Sequence, residues 1–386
     1  MTIRNNSRIR HLFFKDLLRR VCLGIYFAVV KLVKKVTEIK FKVMSRVSFI
    51  QNFIIIACRR ISSSTIFKMT RTNTHNYYKG MRIPAMGLML SMISCMGGNN
   101  TLQETPTRGD IKITADESFQ PLVDTEVFTF TQLYINANIK PRYKPEFDVI
   151  NDFMNDSVKV IVTSRKLTDD QIRYLRDTLV IARTVTFAWD ALALVTNKEN
   201  HDTLIDYSQI RDIFLGNAVN WKDLNPKSRR GKISVIFDNT KSGNIRYFKE
   251  LFKLKNDLPA NFFAVKTNGE VIDFVTKNPD ALGIISVNWI SDKDDPTSMS
   301  FVKRVNIIAV SQQHSTDGSF YRPYQGSIYD KSYPFVREIY MISRETFTGL
   351  GSGFIQWATA EQGQRIVLKS GLVPATMPIR LVQIKN

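Results

Sequence analysis

The stretch ISVIFDNTKSGNIRYFKELFKL, residues 233–254, reads in three pieces. Ile233 to Phe237 is a short apolar run of the kind that forms a buried strand, and Asn244 to Phe252 is an amphipathic helical stretch. The polar, glycine-bearing segment between them is a loop. Strand, loop and helix in that order is the repeating unit of an α/β fold.

The same alternation runs outward in both directions. Toward the amino terminus, strand-like runs at Asp110 to Thr114, Val158 to Thr163 and Ala191 to Thr196 alternate with helical stretches near Leu122 to Tyr134, Asp169 to Asp177 and Tyr207 to Leu215. Toward the carboxyl terminus follow a helix at Val271 to Lys277 and a strand at Gly283 to Val287. The expectation is a mainly parallel α/β fold, whose ligands sit at the carboxyl ends of strands on the loops that open helices.

Two such loops carry the residue types that hold an anion. The first, Asn239 to Arg246, offers Ser242, Gly243 and Asn244 at a helix start, where backbone N–H groups point outward with partial positive charge, and adds the guanidinium fork of Arg246. Taken alone, a turn and an N-cap are the commoner explanation of Ser242 and Asn244. The second, Thr163-Ser164-Arg165, follows the strand Val158 to Val162 and precedes a helix opened by Thr168-Asp169-Asp170. Alone it reads as a cap beside a solvated arginine; together the two loops suggest an oxyanion site.

Charge distribution narrows the function. Of 54 basic residues 17 lie in residues 1–80, against two of the 35 acidic ones, so this segment carries +15 of the formal net charge of +19. The remainder is nearly neutral, and nucleic acid is not an expected partner. Cys22, Cys58 and Cys95 all precede residue 96, so no disulfide framework can form in the later domains, and His11, His75, His201 and His314 have no metal-site spacing. Neither a cofactor nor a structural metal is expected. Walker, CxxC, HExxH and GxSxG motifs do not occur, so catalysis is not indicated. Gly351-Ser352-Gly353 reads as a turn entering a helix from Phe354 to Glu361.

Residues 81–94, MRIPAMGLMLSMIS, have the charged start and short apolar run of a secretory signal and end before Cys95. Met92-Ile93-Ser94-Cys95 resembles a bacterial lipobox, which implies lipidation of Cys95 and a polar tether over residues 95–107. The upstream apolar runs, Val21 to Val30 and Phe53 to Ala57, fall short of the ~20 residues that span a bilayer. A translation start at Met69 or Met81 accounts for residues 1–80 better than a working extension does; the alternative role for that extension is basic amphipathic membrane binding through Val21 to Lys40.

The run IRDIFLGNAVNW, residues 210–221, resembles the signature of the PstS-type phosphate-binding proteins, substrate-binding components of ABC transporters. In the order of that family, Val162 to Arg165 resembles its Ser-Ser-Arg loop, and Ala188 to Asn197 its aspartate-bearing crossover strand. Ser242-Gly243-Asn244 then resembles its Ser-Gly-Thr loop, and Asn278 to Gly283 its Asn-Pro-Gly-Ala-Ile-Gly turn. The resemblance covers residues 109–375. It implies the two-lobed, type 2 periplasmic-binding-protein fold with two interdomain crossovers, lobe 1 from residues 108–195 and 290–386, and lobe 2 from 196–289. It further implies that Ser118, Ser164, Arg165, Asp190, Ser242, Gly243, Asn244 and Arg246 surround phosphate or a related oxyanion. The protein would be a monomer in the periplasm or cell envelope, held to the membrane by lipid on Cys95 and delivering its ligand to an ABC permease. Two family features are replaced: the Gly-Ser-Ser-Thr first loop is Ala115-Asp116-Glu117-Ser118, and no Gly-Ser-Gly helix start stands near Tyr143 to Asp148. Asp190 is the residue expected to accept the phosphate proton and so reject sulfate. The competing reading is a sensor or surface interaction protein that keeps the fold with a lost or changed ligand.

Overall fold

The computed structural model describes residues 104–314 and 318–378. Cys95, the signal-like run and the basic extension lie outside the described residues. The first elements are β1 (Gly109–Asp116), a 3-10 turn (Glu117–Phe119), α1 (Gln120–Leu133), β2 (Ala137–Lys144), α2 (Glu146–Met154), β3 (Val160–Thr163), α3 (Asp169–Asp177) and β4 (Arg183–Asn197). Next come β5 (Leu204–Ile205), α4 (Tyr207–Leu215), α5 (Trp221–Leu224), β6 (Ser234–Phe237), α6 (Gly243–Leu251), β7 (Phe262–Ala264), α7 (Asn268–Lys277) and β8 (Ala281–Ser286). After a 3-10 turn at Val287–Trp289 the chain forms α8 (Pro296–Arg304), β9 (Val305–Ile307), β10 (Ala309–Ser311), β11 (Phe320–Tyr321) and α9 (Gln325–Tyr329). It closes with β12 (Val336–Ser343), α10 (Leu350–Ala358), α11 (Glu361–Lys369) and β13 (Val373–Pro374).

One sheet runs β2-β1-β3-β12-β4-β8-β6-β7, with β13 and β9 also paired to β4. Within it β1 is parallel to β2 and β3, and β6 is parallel to β7 and β8, so each end is a parallel α/β unit. β4 joins them. Its residues 183–191 pair antiparallel with β12, and its residues 192–196 pair antiparallel with β8. The strand thus changes partners between Ala191 and Leu192, and the sheet divides there into two halves. From Ala191 to Asn197 every residue of β4 is buried, the signature of a strand covered on both faces rather than one. β9 pairs with Val195 to Asn197 and β10 with β5, so residues 305–311 stand beside the second half, whereas the family resemblance implies that 290–386 belong with the first.

The IRDIFLGNAVNW motif turns out to be packing. Ile210, Ile213 and Phe214 form the buried face of α4, which ends at Gly216 in the left-handed conformation (φ 78°) that glycine adopts without cost. Trp221 is fully buried and donates its Nε1–H to Asp280 O at 3.0 Å. Phe214 stacks on Phe248 of α6 (ring centroids 4.7 Å), and Phe335, just before β12, meets Phe248 edge-on at 4.9 Å. The Gly351-Ser352-Gly353 segment lies inside α10, which starts earlier than Phe354. There the Glu345 carboxylate accepts from the N–H groups of Gly351 and Ser352 and caps the helix.

Candidate functional site

The loops that end β1, β3 and β6 meet at Gly243. A methyl group built on that residue would stand 2.8 Å from Asp116 Oδ2, 2.8 Å from Ser164 Oγ and 3.0 Å from Glu146 Oε1. Only glycine lets the three approach α6 so closely, and the point marks the centre of the site.

Ser242 is the N-cap of α6. Its hydroxyl accepts from Asn244 N–H (2.9 Å) and donates to Asp238 Oδ1 (2.6 Å). Asn244 donates Nδ2–H to Asp238 Oδ1 at 3.1 Å, and its Oδ1 accepts from Ser118 Oγ at 3.1 Å. Ser118 N–H in turn donates to Asp116 Oδ1 at 3.0 Å. These serine and asparagine donors are therefore spent on neighbouring carboxylates and amides.

Ser164 and Arg246 converge on a group that the sequence reading did not anticipate. Glu146, first residue of α2, is 2 % exposed, and its Oε1 accepts from Thr163 Oγ1 (3.0 Å), Ser164 N–H (3.1 Å), Ser164 Oγ (2.6 Å) and Arg246 Nη2 (3.2 Å). Arg246 Nε donates to its other oxygen. Burial opposes this charge, but Arg246 and the Ser164 bond outweigh it and hold the carboxyl below its ordinary value. The signal for Glu146 was faint: Pro145-Glu146 suits a helix start, but nothing local shows that its carboxylate meets Ser164 and Arg246.

Two more acids share the site. Asp116 is fully buried, and its Oδ2 has no partner among the described residues; burial, then the Glu146 charge, pushes it up to about 7. Glu117 accepts from Asn268 N–H and, at 2.5 Å, from Asn268 Nδ2–H at the start of α7, and burial pushes it up to about 8. Burial likewise raises Asp238 to about 6.

Asp190 sits where β4 changes partners. Its Oδ2 accepts from Ser286 Oγ (2.9 Å) and from Arg337 Nε (2.9 Å), and its Oδ1 has no partner among the described residues. Arg337, on β12, was not singled out from sequence; it is buried and also lies 4.9 Å from the Phe119 ring centroid. The pair spans β4, β8 and β12 and ties the junction of the halves together. Arg165 lies at the rim, donating to Lys166 O and Gln171 Oε1. It lines an open groove of about 730 Å³ with Glu146, Lys241, Arg246, Lys249, Glu250, Lys253 and Lys255 among others, a mouth richer in cations than in acids.

Two α/β halves joined through one shared strand, with helix-opening loops from both meeting over hydroxyl and guanidinium donors, define a two-lobed solute-binding protein. The chain belongs to the PBP superfamily, whose domain matches residues 100–362. It is 25% identical over 286 residues to the phosphate-binding protein PstS of Staphylococcus aureus, covering 72% of this chain and 83% of that one. Among solved structures it resembles a candidate phosphate ABC transporter substrate-binding protein with bound phosphate from Clostridium perfringens (TM-score 0.59, 24% identity, 69% of this chain, 100% of that one). It also resembles an ABC-type phosphate transport receptor from Vibrio cholerae (TM-score 0.53, 21% identity, 70% of this chain, 100% of that one). At these identities the structural likeness speaks for the fold.

Proposed function

We propose that the protein is an extracytoplasmic solute-binding protein that captures phosphate, or a related oxyanion, between its two lobes and delivers it to the permease of an ABC transporter. The observation that carries this reading is the cradle of Thr163 Oγ1, Ser164 N–H, Ser164 Oγ and the Arg246 fork, already closed around an anionic group and drawn from both halves of the sheet. Charge-assisted hydrogen bonds of this kind are about twice as strong as neutral ones. The cation-rich groove beside the cradle would raise the local concentration of anions. β4, which runs through the junction, would serve as the hinge on which the lobes close. Lipid on Cys95 would keep the protein at the cell envelope, as a monomer, near its permease.

The carboxylates favour a second reading as well, a protein that keeps the fold and has lost or changed its ligand. Asp116 and Glu146 stand at the donor set, and Glu117 follows Asp116 in the chain, bonded to Asn268; ionised they would repel a dianion. Isothermal titration of the full chain with inorganic phosphate and sulfate separates the two. The oxyanion reading expects saturable heat with phosphate, weakened roughly 10-fold to 150-fold by Arg246→Ala through the loss of a charge-assisted bond. Absence of heat with both ions, in the parent and in variants of the acidic residues, favours the second reading.

A further inference from the structure

We propose that Glu146 is an intramolecular ligand of the anion cradle, holding the lobes closed until an oxyanion displaces it. The inference rests on the oxyanion-binding reading and adds what occupies the site before the ligand does. The carboxylate meets the donors an oxyanion needs: a backbone N–H, two hydroxyls and a guanidinium, with both of its oxygens engaged. A surface glutamate with a casual ion pair would not be 2 % exposed with so many bonds.

The geometry makes the contact a latch. Glu146 opens α2 in the first half of the sheet, and Arg246 lies in α6 of the second. Two further bonds close the same seam: Phe147 N–H donates to Lys241 O (3.2 Å), and Lys241 Nζ pairs with Asp148 Oδ1 at 3.0 Å. An oxyanion seated beside Ser164 and Arg246 needs the space and the donors that Glu146 holds. It would also face Asp116 Oδ2, which approaches the same point of Gly243. A dianion next to the ionised Glu146 carboxylate is strongly disfavoured, so Glu146 is the group that must leave. Its way out is present, because Glu146 itself lines the open groove with Arg165. Among the described residues the Arg165 guanidinium bonds only neutral oxygens, of Lys166 and Gln171, which leaves it able to receive the displaced carboxylate.

The consequence is an affinity set by competition: phosphate binds by the difference between its own contacts and those of Glu146. Small-angle scattering and titration of the full chain with inorganic phosphate, for the parent, Glu146→Gln and Glu146→Ala, test it in two independent ways. Without phosphate the parent should be as compact as with it, whereas both variants should be expanded and should compact on adding phosphate. Phosphate should bind Glu146→Ala about tenfold or more tightly than the parent, the size of a lost charge-assisted competitor, with Glu146→Gln between them. If the ligand-free variants are as compact as the parent, or bind phosphate more weakly than it does, the inference is overturned. If they open but phosphate binds to no form, the latch stands and the phosphate reading falls.

Discussion

Glu117 keeps a carboxyl group inside the protein where burial favours its neutral form, pushing it up from an ordinary 4.5 to about 8. The folded state therefore holds a proton that the unfolded chain releases, and the stability linked to it is complete below about pH 4.5 and lost as the pH rises through about 8. Asp116, at about 7, acts in the same direction. Thermal unfolding should accordingly show Tm falling between pH 5 and pH 8.5. Glu117→Gln, which keeps an acceptor for Asn268 but cannot ionise, should flatten the fall by about 2–4 °C for each kcal/mol recovered. An unchanged slope would mean that Glu117 is ionised in the fold. At this scale the sequence singles out Ser164, Ser242, Gly243, Asn244 and Arg246 because two polar loops, each between a strand and a helix, carry anion-binding residue types together, although each loop alone reads as a turn and a cap. The role of Glu146 was not, since it depends on Arg246, far along the chain, and no local pattern encodes that meeting. Asp190 is expected from the family resemblance to accept the phosphate proton; in the structure it accepts from Ser286 and from Arg337, which comes from a strand that pairs only in the folded sheet.

At the scale of elements, Gly283 in β8 shows why a turn-like sequence ended as a packing site. A Cβ there would lie 2.7 Å from Val275 Cγ2 and 2.9 Å from Val195 Cγ2 and from Val271 Cγ1, so α7 rests directly on the strand backbone. Gly283→Ala should destabilise the protein by about 1–3 kcal/mol through overpacking, measured by denaturant unfolding. No loss would show that α7 can shift outward freely. Strong apolar runs and capped helices were read close to their true limits: α3 and α4 match the expected Asp169 to Asp177 and Tyr207 to Leu215. β2 was missed for a physical reason. It lies at the sheet edge, buries only Ala137 and Ile139, and carries Lys140, Pro141, Arg142 and Lys144, and an edge strand tolerates a proline that a central one would not. β12 was missed because Arg337 and Glu338 interrupt its apolar pattern, the first of them buried as the partner of Asp190.

At the scale of the whole molecule, the division into two parallel units and the strand that joins them follow from the alternation of strands and helices together with the family motifs. Where the halves meet follows less sharply, since the resemblance implies a boundary after residue 195 and the strand changes partners after Ala191. The partner change at Ala191–Leu192 and the return of β9 to β4 are set by long-range pairing, and no linker composition marks them. The same long-range closure assembles one cradle from β3, α2 and α6, and it is there that the proposed capture of an oxyanion is exposed to contradiction. The most direct test is a crystal structure of the full chain grown with inorganic phosphate. The account predicts phosphate within hydrogen-bond distance of Ser164 N–H and the Arg246 guanidinium, with the Glu146 carboxylate moved out toward Arg165. Phosphate bound elsewhere, with Glu146 still held by Thr163, Ser164 and Arg246, would contradict it.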